Sequence, residues 1–331
     1  MKKILSVFIV SILSAFFSCS YAGGGTTHMF IAQEAIAKLP DAKLRNLLID
    51  NLDAYLVGAY YPDSGYVNGN TYGEDSHWDP FIFTFADYLK EKYTDPATQN
   101  PKLVAFLFGC AAHRMSDEII HWTFYTASSK QDFSGDWDKA HTYGDPGIDL
   151  LLKMEKSSSL NRPATWWVPL SDLLQVYHRM GKDQYTAKEI EWGNSVIFFA
   201  GYGEDLIYIP AYPYLRWKMP WTANHYYDWP EGGIAMDVQK VAEYQANLWN
   251  RLTNQSTTAA LAAIKPDTSR MILSDSESSF ARFAREALEN GLVSITTKYN
   301  EDGSVELQPP VINEAEKLKT LVKNLLSRIF S

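Results

Sequence analysis

Residues 101–128 constrain this chain more tightly than any other stretch. Pro101 suits the first turn of a helix, and the run FLFGCAAHRMSDEIIHWTF (106–124) behind it is apolar enough to read as a buried one. Among its polar residues, His113, Asp117 and His121 recur at four-residue steps. Four residues turn an α-helix by about 400°, so the three side chains share one face within an arc of about 80°. Buried polar groups need partners. Metal ions would satisfy two imidazoles and a carboxylate together, and so would a purely hydrogen-bonded His–Asp–His network.

The other histidines sharpen the choice. His141 and Asp145 (HTYGD) repeat the i, i+4 spacing where a helix would start, and Asp149 continues it. Asp63 lies in a Pro62–Gly65 turn and His77 in EDSHWDP; taken singly, one is an ordinary turn residue and the other a loop histidine. His28 stands near the start of the mature chain. Residues 1–22 read as a secretory signal, with Lys2 and Lys3, an apolar run Ile4 to Phe17 and the small-x-small site Ser20-Tyr21-Ala22. Cleavage after Ala22 exposes the amine of Gly23, a competent zinc ligand once deprotonated. His178 and His225 read as structural.

Removing 22 of the 331 residues takes away two lysines and moves the net charge from −9 to −11. An acidic chain is poorly suited to a long polyanion, so no nucleic-acid partner is expected, and no obligate protein partner is evident. Cys19 leaves with the signal and Cys110 remains alone, which excludes an intramolecular disulfide and soft thiolate metal sites. A secreted, extracellular or periplasmic protein must then take its stability from a large core or from metals. No later segment is a long uninterrupted apolar span.

Helical periodicity predicts an all-α fold. Helices are expected at 28–39, 42–60, 80–93, 101–128, 145–155, 171–180, 186–199, 236–252, 276–290 and 313–330. Residues 62–78 read as a loop, 201–233 as irregular aromatic chain, and 292–309 as one hairpin about Glu301-Asp302-Gly303. A soft boundary near 253–270 separates a catalytic domain (23–252) from a small, mostly helical extension (253–331) of unassigned role. The stretch 207–230 is rich in Tyr, Trp and Pro. It reads equally as an interfacial or headgroup-binding surface and as core packing.

The ordered set THMFIAQEAI (27–36), YLVGAYYPDSGY (55–66), EDSHWDPF (74–81), LVAFLFGCAAHRMSDEIIHW (103–122) and HTYGDPGIDLLL (141–152) resembles the zinc-dependent phospholipase C superfamily. Within it, the chain looks most like the branch holding the amino-terminal domain of glycosylphosphatidylinositol-specific phospholipase D and secreted bacterial phospholipases C. A weaker likeness extends through 166–181 to 230–237. The resemblance implies three zinc ions: one on Asp63, His77, His113 and Asp117; a second on Asp117, His28 and the Gly23 amine and carbonyl; a third on His121, His141 and Asp145. Asp63 and Asp117 would be the catalytic carboxylates. Gly23 stands where several relatives begin with Trp, and Asp145 where many have Glu.

The expected function is phospholipase C hydrolysis at a phospholipid or membrane surface. The alternatives are phospholipase D cleavage of glycosylphosphatidylinositol or other phospholipids, a zinc nuclease of the same fold, and a non-enzyme whose metals only stabilise it.

Overall fold

A computed structural model describes residues 24–67, 69, 71–253 and 279–329. The expected signal, Gly23 and most of the soft boundary at 253–270 lie outside the described residues.

Helices dominate, as expected. In chain order they are α1 (Gly25–Ile36), α2 (Ala42–Asp50), α3 (Leu52–Tyr60), α4 (Gly73–Ser76), α5 (Asp79–Lys92), α6 (Pro96–Gln99), α7 (Pro101–Ile119), α8 (Tyr125–Asp132) and α9 (Trp137–Glu155). They continue as α10 (Leu170–Arg179), α11 (Ala187–Lys218), α12 (Pro220–His225), α13 (Ile234–Leu252), α14 (Ser279–Glu289) and α15 (Ala315–Ile329). The core is built around α7, whose Leu103 to Ala112 segment is almost fully buried. Two glycines let α3 and α7 touch backbone to backbone. A Cβ on Gly58 would lie 2.2 Å from the Phe106 carbonyl oxygen, and one on Gly109 would lie 2.1 Å from that of Tyr55. That contact fixes α7, and with it the histidine stripe, against the helix leading to Asp63.

Four departures from the sequence reading have physical causes. The expected helix 42–60 is two helices: Asn51 (φ −123°) breaks it, its amide donating to Leu47 O at 2.9 Å. The expected loop 62–78 contains a 3₁₀ turn, Tyr61–Tyr66, and the short α4. Helix α9 starts at Trp137 rather than 145, capped by the Asp136 side chain on Lys139 N at 3.0 Å, and it carries Pro146 inside.

The largest departure is α11. Residues 201–218 are regular helix despite Pro210 and Pro213. Its start is a capping box between Thr186 and Glu189. Its buried stripe Ala200, Gly203, Ile207, Ala211 and Leu215 continues at helical spacing through the prolines. Tertiary burial of that stripe outweighs the lost backbone hydrogen bonds. The aromatic segment therefore splits: Tyr226 joins the core, whereas Trp217 is 73% and Ile209 61% exposed.

The extension packs on the helical body. Phe283 stacks on Phe199 at 5.6 Å between ring centroids. The predicted hairpin is present as β3 (Thr297–Tyr299) and β4 (Val305–Leu307). It also pairs with a strand the sequence reading missed, β1 (Trp166–Val168), in register Trp166 with Leu307 and Val168 with Val305. A second two-stranded pair joins β2 (Val293–Ser294) to β5 (Val311–Ile312). Among the described residues, no helix is long and apolar enough to cross a membrane.

Candidate metal centre

Eight of the nine predicted ligands are described, and all eight are gathered at one buried centre. His113 comes from α7, Asp63 from the 3₁₀ turn after α3, and His77 from the residue after α4. His77 Nδ1 donates to Gly73 O at 2.7 Å, and His113 Nδ1 to Ala59 O at 2.9 Å. A carbonyl only accepts, so each Nδ1 carries a proton and Nε2 is the ring atom turned to the centre. Those Nε2 atoms lie 3.0 Å apart. Asp117 Oδ2 is 3.4 Å from both. Asp63 Oδ1 is 3.5 Å from His77 and 3.7 Å from His113.

Two imidazole nitrogens and two carboxylate oxygens thus converge, a donor set that fits a cation. A tetrahedral zinc with ligand bonds of about 2.0–2.1 Å holds its ligands about 3.3–3.4 Å apart, which these separations bracket.

Asp117 also faces the other way. Its Oδ1 lies 3.3 Å from His28 Nε2 and 3.6 Å from His121 Nε2. It is buried and makes no hydrogen bond, as are His28 Nδ1 and Asp63 Oδ2. The third group is His121, His141 and Asp145. Asp145 Oδ2 is 3.1 Å from His141 Nε2, and Oδ1 is 3.6 Å from His121 Nε2. The shorter aspartate therefore reaches both rings. Three sets in all bring their ligand atoms within 4.8 Å of one another: His28, Asp63 and His113; His77, His113 and Asp117; His121, His141 and Asp145.

The stripe is not on a uniform α-helix. A π-turn, Ile120–Phe124, follows α7 and carries His121. The stripe serves two groups, with Asp117 between them. Nothing in the residue pattern marks such a turn.

Asp149 does not join the metal ligands. It binds the first turn of α1, with Thr27 N donating to Oδ1 at 2.7 Å. Gly23 is outside the described residues, but its neighbour Gly24 borders the centre: a Cβ there would stand 3.3 Å from His28 Nε2 and 4.0 Å from Asp145 Oδ1. Two supporting residues escaped the sequence reading. Tyr125 donates to Asp145 Oδ1 at 2.6 Å. Trp137 stacks on His141 at 5.0 Å and donates through Nε1 to His121 O at 3.0 Å. Helical spacing was the available signal, since they stand four residues after His121 and four before His141. His178 pairs with Asp183 on the surface, and His225 stacks on Trp221, both away from the centre.

The electrostatics favour cations. Burial pushes Asp117 upward, but His121 and His113 hold it well below the ordinary carboxylate value. Asp63 is likewise raised by burial and lowered further by His113 and His77, and Asp145 by His141 and His121.

Similarity to known proteins agrees with this geometry. The model of the family described as zinc dependent phospholipase C matches residues 27–193, half of the chain, a span that holds all eight described ligands. This chain belongs to the zinc-dependent phospholipase C family. The chain is 31% identical to the human phosphatidylinositol-glycan-specific phospholipase D over 64% of its own length and 27% of the relative's. The rat protein of that name is 30% identical over 74% of this chain and 30% of its own. The Dictyostelium discoideum protein is 27% identical over 64% and 23%. The chain thus spans less than a third of these relatives' length. No solved structure gives a significant match.

A pH signature follows for the family member in hand. In the zinc-free protein, burial pushes His121 down, but Asp117 and Asp145 outweigh it and lift it from 6.5 to about 9. Its folded value is raised, so this imidazolium contributes stability fully below pH 6.5, and the contribution is lost as the pH rises through about 9. Zinc requires the neutral ring. The gap in Tm between zinc-loaded and zinc-free protein should therefore widen from pH 6.5 to 9 when followed by calorimetry. A constant gap would contradict it.

Proposed function

We propose that the chain is a secreted zinc-dependent phospholipase C. It would hydrolyse phosphatidylcholine-like glycerophospholipids to diacylglycerol and a phosphorylated headgroup. The observation that carries this reading is the convergence of imidazole nitrogens and carboxylate oxygens from Asp63, His77, His113 and Asp117, found within a phospholipase family. The donor set would hold three zinc ions, with the Gly23 amine and carbonyl joining His28 and Asp117 on the second.

Zinc, when bound, supplies Lewis-acid charge that polarises phosphoryl oxygens and acidifies nearby water. The protein's residues do the rest. Asp117 directs its two oxygens to different groups of imidazoles, which suits a bridging ligand. Asp63 turns Oδ1 to the imidazoles and leaves Oδ2 buried without a hydrogen bond. We assign to that oxygen the proton of the attacking water. His121, His141 and Asp145 would hold an ion whose charge stabilises a leaving alkoxide, and Tyr125 and Trp137 fix the orientation of Asp145 and His141. The partner is a phospholipid surface, which the exposed Ile209 and Trp217 suit by their chemistry.

A second reading, phospholipase D action on glycosylphosphatidylinositol or other phospholipids, is favoured by the names of the curated relatives. Product analysis separates the two. Mature protein is incubated with phosphatidylcholine vesicles and, separately, with a glycosylphosphatidylinositol-anchored protein. Diacylglycerol supports C-type cleavage. Phosphatidic acid from either substrate would establish the second reading and overturn the first.

A further inference from the structure

Helix α1 carries His28 in its first turn, yet its N-cap residue is Gly24, which has no side chain to cap it. The cap comes from 122 residues away. Asp149 on α9 accepts from Thr27 N at 2.7 Å and Thr27 Oγ1 at 2.5 Å through Oδ1, and from Thr26 N at 3.3 Å through Oδ2. Beside it, Glu204 on α11 accepts from Thr26 Oγ1 at 2.7 Å. Lys153 lies 3.2 Å from Glu204 and 2.9 Å from Asp205. Asp149 and Glu204 are 0% and 1% exposed.

Two buried carboxylates side by side, Glu204 paired with Lys153, are a costly way to cap a helix when Ser or Asp at the N-cap would do it locally. The space around Gly24 explains the choice. A Cβ there would already be 3.3 Å from His28 Nε2, so a side chain long enough to cap would enter the metal centre. Gly25 cannot carry one either, because its Cβ would lie 2.1 Å from the Tyr60 ring. A cap from another helix orders the turn and leaves the centre open. His28 N closes on Gly24 O at 2.8 Å, so orientation imposed at Thr26 and Thr27 passes directly to His28.

We propose that Asp149, backed by Glu204, is a positioning pair for the metal centre. It fixes the first turn of α1, and the ion held at His28 depends on it more than the other ions do. The proposal rests on the zinc reading above.

The test measures zinc retained by the mature protein against graded chelator, by mass spectrometry, together with the Tm of each zinc-free variant. Asp149→Ala should give up one ion at chelator concentrations about ten-fold or more below those the wild type withstands, with the remaining ions unmoved. Asp149→Asn keeps a capping oxygen and should restore most of that resistance. The control is Asp41→Ala. Asp41 caps α2 through Lys43 N and Leu44 N, and its loss should lower the zinc-free Tm without touching zinc retention. If Asp149→Ala does not fold, Glu204→Gln should weaken the same single ion.

Wild-type zinc retention in these variants, or loss of all ions together in step with Tm, would overturn the proposal. A wild type that binds no zinc would overturn the functional reading as well. Zinc-loaded wild type with an unaltered Asp149→Ala would overturn only the positioning role.

Discussion

Replacing Asp117 with Asn should abolish phospholipid turnover, lowering kcat by at least about 1,000-fold, while the protein still folds. The side chain is nearly isosteric, so the loss is one of charge and of a second oxygen. Asp117 Oδ2 stands 3.4 Å from the Nε2 atoms of both His77 and His113, and Oδ1 stands 3.3 Å from that of His28 and 3.6 Å from that of His121. An amide offers one acceptor oxygen and, on the other side, an NH₂ that cannot ligate. At least one ion should therefore be lost, which a zinc count by mass spectrometry on the Asp117→Asn protein would read. Full zinc content with near-wild-type turnover would remove Asp117 from its bridging role.

Stripping the metal should cost stability as well as activity. Cys110 is the single cysteine of the mature chain if the signal is cleaved as expected, and it is buried and free. No disulfide then constrains the unfolded chain. The centre packs His28, Asp63, His77, His113, Asp117, His141 and Asp145 at under a tenth exposure each. Free zinc at about 1,000 times its dissociation constant stabilises the folded state by about 4 kcal/mol per site. For a protein of this size that is worth about 2–4 °C per kcal/mol, so strong chelators should lower Tm by at least about 10 °C. Calorimetry with and without chelator checks it. An unchanged Tm would mean that the histidine stripe is satisfied by its own hydrogen bonds.

That alternative was open from the residues alone, and it shows which parts of the centre local pattern can reveal. Four-residue spacing placed His113 with Asp117 and His141 with Asp145, because ligand pairs on one helix obey a local rule. The grouping of Asp63 and His77 with them came from resemblance, since no periodicity connects a 3₁₀ turn to α7. The π-turn at Ile120–Phe124 is illegible for a different reason: it lies within a stretch of continuous helical periodicity, and no residue pattern marks a wide turn. Helix α11 failed in the opposite sense. Pro210 and Pro213 are strong local breakers, and burial of Ile207, Ala211 and Leu215 overrode them. The pairing of Trp166–Val168 with Val305–Leu307 and the Asp149 cap on Thr27 join residues more than a hundred positions apart, where sequence pattern carries no information. The expected hairpin about 301–303, being local, appears where it was read.

Turnover of phosphatidylcholine by signal-cleaved protein, with zinc counted by native mass spectrometry before and after chelation, tests the central claim most directly. The account predicts close to three zinc ions and hydrolysis that disappears with them and returns when zinc is restored. One zinc or none, with no hydrolysis of any phospholipid, would contradict it.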